Sequence, residues 1–301
     1  MEPRVAPIDA TLGAVVTGLT LARMDASTWT MVERAFHEHA VLVFPGQHLT
    51  EAEQVTFANR FGEIELLAPD PAQKAVAISN QKPDGSVMGA DEHRYKTLRG
   101  NEGWHTDSSY MPLAAKASVL SAQVVPSAGG ETEWADMRAA YDALDEATRR
   151  RIAGLSAYHS LYHSQAKIGH VVQTGAGYGY HTKGAPLRPL VKVHPVTGRP
   201  ALFIGRHAYS IPGLEEAESE KLLSDLVDFA CRPPRTYAHR WQPGDVVIWD
   251  NRCVLHRARP YDYHETRVMR HTRVAGDPAT ELAPTAPDHR AGAYEPSASN
   301  R

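Results

Sequence analysis

At 301 residues the chain exceeds the roughly 100–200 residues of a usual domain, yet single β-rich domains of about 200–250 residues are common, so one large domain with long loops fits as well as two. A formal charge of −3 leaves no basic excess to draw nucleic acid or an anionic membrane surface, and no apolar run approaches the ~18 residues that cross a bilayer; the expected partner is a small molecule. MEPRVAPIDATLG lacks the basic and apolar regions of a secretory leader, and Cys231 and Cys253 are too few and too far apart for a disulfide scaffold or zinc knuckle, so a cytoplasmic protein with reduced thiols is expected, with homo-oligomerisation left open.

VERAFHEHA closes a helix, with His37 and His39 in its last turn, where a cation favours the terminal carbonyls. AVLVFPG reads as a fully buried strand stopped by Pro45 and Gly46. In LTEAEQVTFANRFG, Thr50 and Glu53 form a capping box, Ala52, Val55, Ala58 and Phe61 repeat at helical spacing, and Gly62 ends the helix. AVAISN, 75–80, is another strand, and the polar stretch 80–103 has no usable period and is read as a mobile loop. KASVLSAQVVPSAGGETEWADM gives a strand, a turn at Gly129 and Gly130, and a second strand, after which helical periodicity runs from Met137 to about Leu155. SAYHSLYHSQAKIGHV, with His159, His163 and His170, is either a cover over a site or an ordered surface loop, and the loop is preferred.

LVKVHPVTGRPALFIG and TYAHRWQPGDVVIWDN each hold two strands around a Pro/Gly turn. Between them Leu222, Leu223, Leu226, Val227, Phe229 and Ala230 lie on a helical stripe. RVMRHTRVAGD alternates as a last strand, and residues 277–301, rich in Ala, Pro, Asp and Ser, are expected to be a loose tail after a single domain of residues 1–276. No repeat or long linker divides the chain. A mainly β fold with flanking helices follows, of the double-stranded jelly-roll, cupin-like kind.

In GNEGWHTDSSYMP, His105 and Asp107 stand two apart, so an extended backbone aims an imidazole and a carboxylate at one point. His256 follows a second apolar strand in WDNRCVLHRARPYD, where a β-sandwich can fold it opposite the pair. Two histidines and a carboxylate on one face of a metal leave three positions open, the pattern of non-haem Fe(II) oxygenases. With sixteen histidines in the chain, chance can supply an H-x-D and a distant His, so the flanking residues matter. Arg267, eleven residues after His256, suits a bidentate pair with a dicarboxylate co-substrate, and Thr132 offers a hydroxyl to the same group.

VLVFPGQ, FANRFGEIE, WHTDSSY, VVPSAGGETEWADMRAAYDAL, VIWDNRCVLHRARPYD and RVMRHTRVAGD occur in an order that resembles the TauD/TfdA family of Fe(II)/2-oxoglutarate dioxygenases over roughly residues 8–278. DMRAAYDALDEATR, RPLVKVHPVTGRP and IGRHAYSIPG look most similar to its phenoxyalkanoate enzymes. The resemblance implies that His105, Asp107 and His256 hold Fe(II), that Thr132 and Arg267 hold the distal carboxylate of 2-oxoglutarate, and that Trp249 walls the pocket. It further implies O2 as co-substrate and hydroxylation next to an ether oxygen of an aryloxyalkanoate-like acid, giving a phenol, a 2-oxo acid, succinate and CO2. Fifteen residues after His256, where relatives carry a second arginine, stands His271; Arg270 and Arg273 are read as facing away from it. Arg206, His207 and Asn101 are then the candidates for the substrate, together with His271. A sulfonate, sulfate ester or secondary metabolite as substrate, a zinc hydrolase and a non-catalytic cupin-like binding protein are the rival readings.

Overall fold

The N-terminal elements assemble one flank of a large sheet. In the computed structural model, which describes residues 2–292, β1 (Arg4–Pro7) pairs antiparallel with β2 (Ala14–Thr17), which runs parallel to β3 (Val41–Phe44). Helix α1 (Ala26–His39) joins them, capped by Asp25 at its start and ended by Ala40 at φ 62°. Its last carbonyls are met by Arg138, which donates to His37 and Glu38. Burial holds the His37 ring down to about 4, so the helix-ending cation expected there is a neutral imidazole. Helix α2 (Glu51–Asn59) opens on the complete Thr50–Glu53 capping box. Its buried face is Gln54, Phe57 and Ala58, with Phe61 beyond, while Ala52 is exposed. Gln54 displaces the expected face because its amide bonds Val119 O, Arg270 O and the Ser121 hydroxyl inside the sheet.

After β4 (Val76–Ser79), the expected loop over 80–103 contains helix α3 (His93–Gly100), tied back where Arg94 donates to Ala77 O. Strands β5 (Ala115–Val124) and β6 (Thr132–Asp136) follow as expected, with Gly129 and Gly130 at φ 73° and 69° between them. The single helix expected from Met137 is two, α4 (Met137–Ala143) and α5 (Glu146–Ile152), because the Asp145 carboxylate caps Thr148 N and starts a new helix. The expected loop after it is β7 (Ser156–His159) and α6 (Leu161–Ala166), the latter capped by Ser160.

Next come β8 (Ala185–Pro189), β9 (Val191–Val193), β10 (Pro200–Leu202), β11 (Ala208–Tyr209) and α7 (Glu216–Ala230), whose buried stripe is Leu222, Leu223, Leu226 and Ala230. The closing strands are β12 (Thr236–His239), β13 (Val246–Asp250), β14 (Val254–Ala258) and β15 (Val268–Ala275). Residues 277–292 are not a loose tail. They form α8 (Pro278–Glu281), β16 (Thr285–Ala286), which pairs with β8, and α9 (His289–Gly292). Glu281 is 1% exposed and ion-paired with Lys192, and Arg188 donates to its carbonyl. The rest of the expected tail, 293–301, lies outside the described residues.

The major sheet has the order β1-β2-β3-β13-β5-β15-β4. Period-2 alternation divides each central strand between two cores. Leu42, Phe44, Val119, Val246 and Ile248 face α1 and α2, while Val41, Val43, Leu120, Val247 and Trp249 face the opposite way. Each such side chain contributes about 1.5–3 kcal/mol when fully buried. The inner core is closed by a sheet of order β12-β6-β14, and Trp134 of β6 lies 5.7 Å, ring to ring, from Trp249 of β13. The fold is a jelly roll with helices laid outside. Among the described residues no helix is long and apolar enough to cross a membrane.

Candidate active site

Two backbone segments far apart in sequence meet at one β-bridge. His105 N donates to His256 O at 2.9 Å, and His256 N donates to His105 O at 2.7 Å. Asp107 follows two residues on, its N–H aimed at Asn251 Oδ1 while Thr106 Oγ1 donates to Asn251 O. The donor atoms of His105, Asp107 and His256 lie within 4.8 Å of one another, and all three residues are buried.

Their protonation suits a cation. His105 Nδ1 sits 2.7 Å from Gly103 O, a pure acceptor, so Nδ1 carries the hydrogen and Nε2 keeps its lone pair. Burial, and for His105 also the neighbouring His256, holds His105 down to about 3; His256 is held at about 4, chiefly by burial. Both rings are therefore neutral at ordinary pH. Burial alone would raise the Asp107 carboxyl, but Arg273 and the surrounding imidazoles hold it well below the usual carboxylate range. Two neutral nitrogens and a carboxylate make a donor set that fits a divalent metal of the Fe(II) type.

The same groups line a cavity of about 420 Å³ that also takes in Thr132, Trp249, Arg267, Asn101, Arg206, His207 and His271. The structure thus brings every sequence-predicted site residue to one chamber. In its lining Arg267, 5% exposed, spends Nε and Nη2 on Gly130 O and has no carboxylate partner among the described residues. A Cβ on Gly130, at φ 69°, would stand 3.2 Å from Arg267 Nε, so glycine permits the close approach. Thr132 Oγ1 accepts from Trp241 Nε1, leaving its own proton to donate into the cavity. Trp249 stacks on His271 with ring planes 3° apart.

The cavity also has an aromatic and apolar wall, formed by Tyr110, Tyr178, Tyr180 and Leu161. Arg206 reaches it from the loop before β11, with Nη2 on Ser164 O and no carboxylate partner among the described residues. Burial lowers it to about 10, which still leaves it charged. His207 shares its Nδ1 with Ser164 Oγ at 2.8 Å. Asn101 ends α3, and its carbonyl is bound by Ala258 N. The side chain of His271 is buried, and its Nε2, without a hydrogen-bond partner, lies 3.8 Å from Asp107 Oδ2.

One expectation was reversed. Arg273 does not face away from His271; residues two apart on a strand share a face, and Arg273 donates to Asp107 Oδ1 at 2.7 Å. That period-2 spacing was the available signal for it. Glu65, Tyr178 and Ser118, which complete the surroundings of Asp107, have no motif to mark them. A second trio, His37, His194 and Asp250, is not open to a metal. Arg252 takes both Asp250 oxygens, and His194 Nδ1 accepts from Val196 N and Thr197 N, so its Nε2 carries a proton and donates to Asp250.

Residues 4–273 match the family described as "Taurine catabolism dioxygenase TauD, TfdA family". The chain is 55% identical over 285 residues to the (S)-phenoxypropionate/alpha-ketoglutarate-dioxygenase of Sphingobium herbicidovorans, covering 93% of this chain and 97% of that one. It is 54% identical to the enzyme of the same name from Delftia acidovorans, with the same coverage. Among solved structures it is similar to AAD-2 in complex with Mn(II) and N-oxalylglycine, at 36% identity and a TM-score of 0.85, over 95% of this chain and 100% of that one.

Proposed function

The chain belongs to the TauD, TfdA family and is an Fe(II)- and 2-oxoglutarate-dependent dioxygenase, and from that premise we propose that it hydroxylates the carbon next to the ether oxygen of an aryloxyalkanoate. His105 Nε2, Asp107 Oδ2 and His256 Nε2 are the metal ligands in this reading. Fe(II) bound there supplies, with 2-oxoglutarate and O2, the oxidation of a C–H bond coupled to formation of succinate and CO2. Arg267 and the Thr132 hydroxyl take the distal carboxylate of 2-oxoglutarate, with Trp249 as the adjoining wall.

The observation that carries the reading is that two arginines without a carboxylate partner among the described residues, Arg267 and Arg206, line the same cavity as the three donors. A buried guanidinium without a counter-charge is costly unless a ligand completes it. Two such groups call for two anions. Arg206 meets the substrate carboxylate, with Asn101, His207 and His271 as further contacts, and Tyr110, Tyr178 and Tyr180 enclose the aryl ring. The hydroxylated carbon then bears both OH and OAr, and its collapse releases a phenol and a 2-oxo acid. Two free cysteines accord with a reducing cytoplasm as the working compartment, and we read residues 1–276, with the segment 277–292 that packs on them, as one catalytic domain.

A substrate panel tests this. (S)- and (R)-2-phenoxypropionate, an alkyl sulfate and an alkyl sulfonate are each added to the Fe(II) protein with 2-oxoglutarate and O2. One phenoxypropionate enantiomer should stimulate succinate release most, and Arg206→Gln should raise its KM while leaving that of 2-oxoglutarate unchanged. Stimulation by the sulfate or sulfonate alone would contradict the substrate class.

A further inference from the structure

The strand face that bears His271 continues to Arg273, whose guanidinium is already engaged. Strands β13, β5 and β15 lie side by side, with Trp249, Ser118 and Arg273 in register as one row across the sheet. From that row Ser118 Oγ donates to Asp107 Oδ2 at 2.6 Å and Arg273 Nη2 donates to Asp107 Oδ1 at 2.7 Å. One cross-strand pair thus grips both oxygens of the carboxylate. Asn251 Nδ2 donates to Ser118 Oγ at 2.9 Å, which commits the serine proton to Asp107. On its far side Arg273 Nη1 donates to Ser108 Oγ at 3.0 Å, and Ser108 and Tyr178 both donate to Glu65. The guanidinium is fixed from two directions, over the Tyr178 ring.

We propose that Arg273 is a positioning residue for the metal centre: it occupies Oδ1 of Asp107, presents Oδ2 to the metal, and draws electron density from that ligand. The proposal rests on the reading of His105, Asp107 and His256 as iron ligands. Oδ2 is the oxygen that faces His256 Nε2, at 3.8 Å, and Ser118 uses only one of its lone pairs. Arg273 is accordingly not free for a substrate anion. The charge serves the metal ligand, and the substrate carboxylate is left to Arg206.

The test is anaerobic titration of the metal-free full-length protein with Co(II), with Arg273→Met, Arg273→Lys, Ser118→Ala and Asp107→Ala compared to wild type. The visible charge-transfer band of the Fe(II) protein with 2-oxoglutarate is recorded beside it. Both Arg273 variants should bind Co(II) about 10- to 100-fold more weakly, the range for loss of a partner to a metal ligand. The Met variant should also move the band to longer wavelength, since Asp107 regains donor strength; the Lys and Ser118 variants, which keep the cation, should not. Co(II) affinity within twofold of wild type in both Arg273 variants overturns the proposal, and an unshifted band in the Met variant overturns its charge component. Should Arg273→Met fail to fold, the Lys variant decides the affinity. Equal Co(II) binding by wild type and Asp107→Ala would instead defeat the ligand reading itself.

Discussion

In the proposed function Arg267 and Arg206 do similar work on different ligands, and substitution should separate them. Replacing Arg267 by Gln removes a charge-assisted fork worth about 1.5–3 kcal/mol. The KM for 2-oxoglutarate should therefore rise about 10- to 100-fold, with the substrate KM little changed; equal rises in both would contradict the division of the cavity. The buried imidazoles set a second expectation. His105, His256 and His271 titrate at about 3 to 4 when folded, chiefly through burial, against 6.5 when free. As pH falls through 6.5 the unfolded chain takes up protons that the folded one refuses. Stability is thus fully present above that pH and is lost progressively toward about 3. The metal-free protein should melt at a lower temperature at pH 5 than at pH 7.5, and a flat profile would deny those rings their neutral burial. At this scale H-x-D spacing and a distant His pointed to the candidate ligands, three donors that the fold brings together. The sequence also contained the clue to Arg273, which period 2 places beside His271. Glu65 was illegible because its role depends on Tyr178 and Ser108, which only the tertiary fold brings to it.

Elements with a local signal of their own were readable, and those without one were not. Helix α2 announces itself by a capping box, and Thr50→Ala should cost about 1 kcal/mol while leaving turnover intact, as a denaturant midpoint and an activity assay would show. Helix α3, HRYKTLRG, has no apolar stripe to reveal it. Its place is set by contacts with distant segments, among them the hydrogen bond between His93 and His170 at 2.9 Å. The C-terminal segment misled for a related reason: a composition rich in Ala, Pro and Asp conceals one buried glutamate. Glu281→Ala would leave Lys192, already lowered by burial, without its counter-charge. Loss of one partner of a buried pair costs about 3–5 kcal/mol, so a large fall in melting temperature is expected. An unchanged value would return the segment to the loose tail that its composition suggests.

Across the whole molecule, the jelly roll turns two remote stretches into neighbours. β14 delivers His256 against the segment bearing His105, β15 supplies Arg267, His271 and Arg273 from one strand and its approach, and β6 brings Thr132 from across the inner core. Alternating apolar runs gave the strands and hence the class of fold, but pairing order is a non-local property, and register across β13, β5 and β15 was beyond local pattern. What the architecture makes is one chamber lined by Arg267, Arg206 and a metal-type donor set. The most direct measurement is the stoichiometry of a single reaction. Anaerobically prepared Fe(II) protein with 2-oxoglutarate is exposed to O2 with (S)- or (R)-2-phenoxypropionate, and succinate and phenol are counted. Equal amounts from one enantiomer, abolished in Asp107→Ala, are predicted. Succinate without phenol, or phenol without dependence on 2-oxoglutarate, would contradict the account.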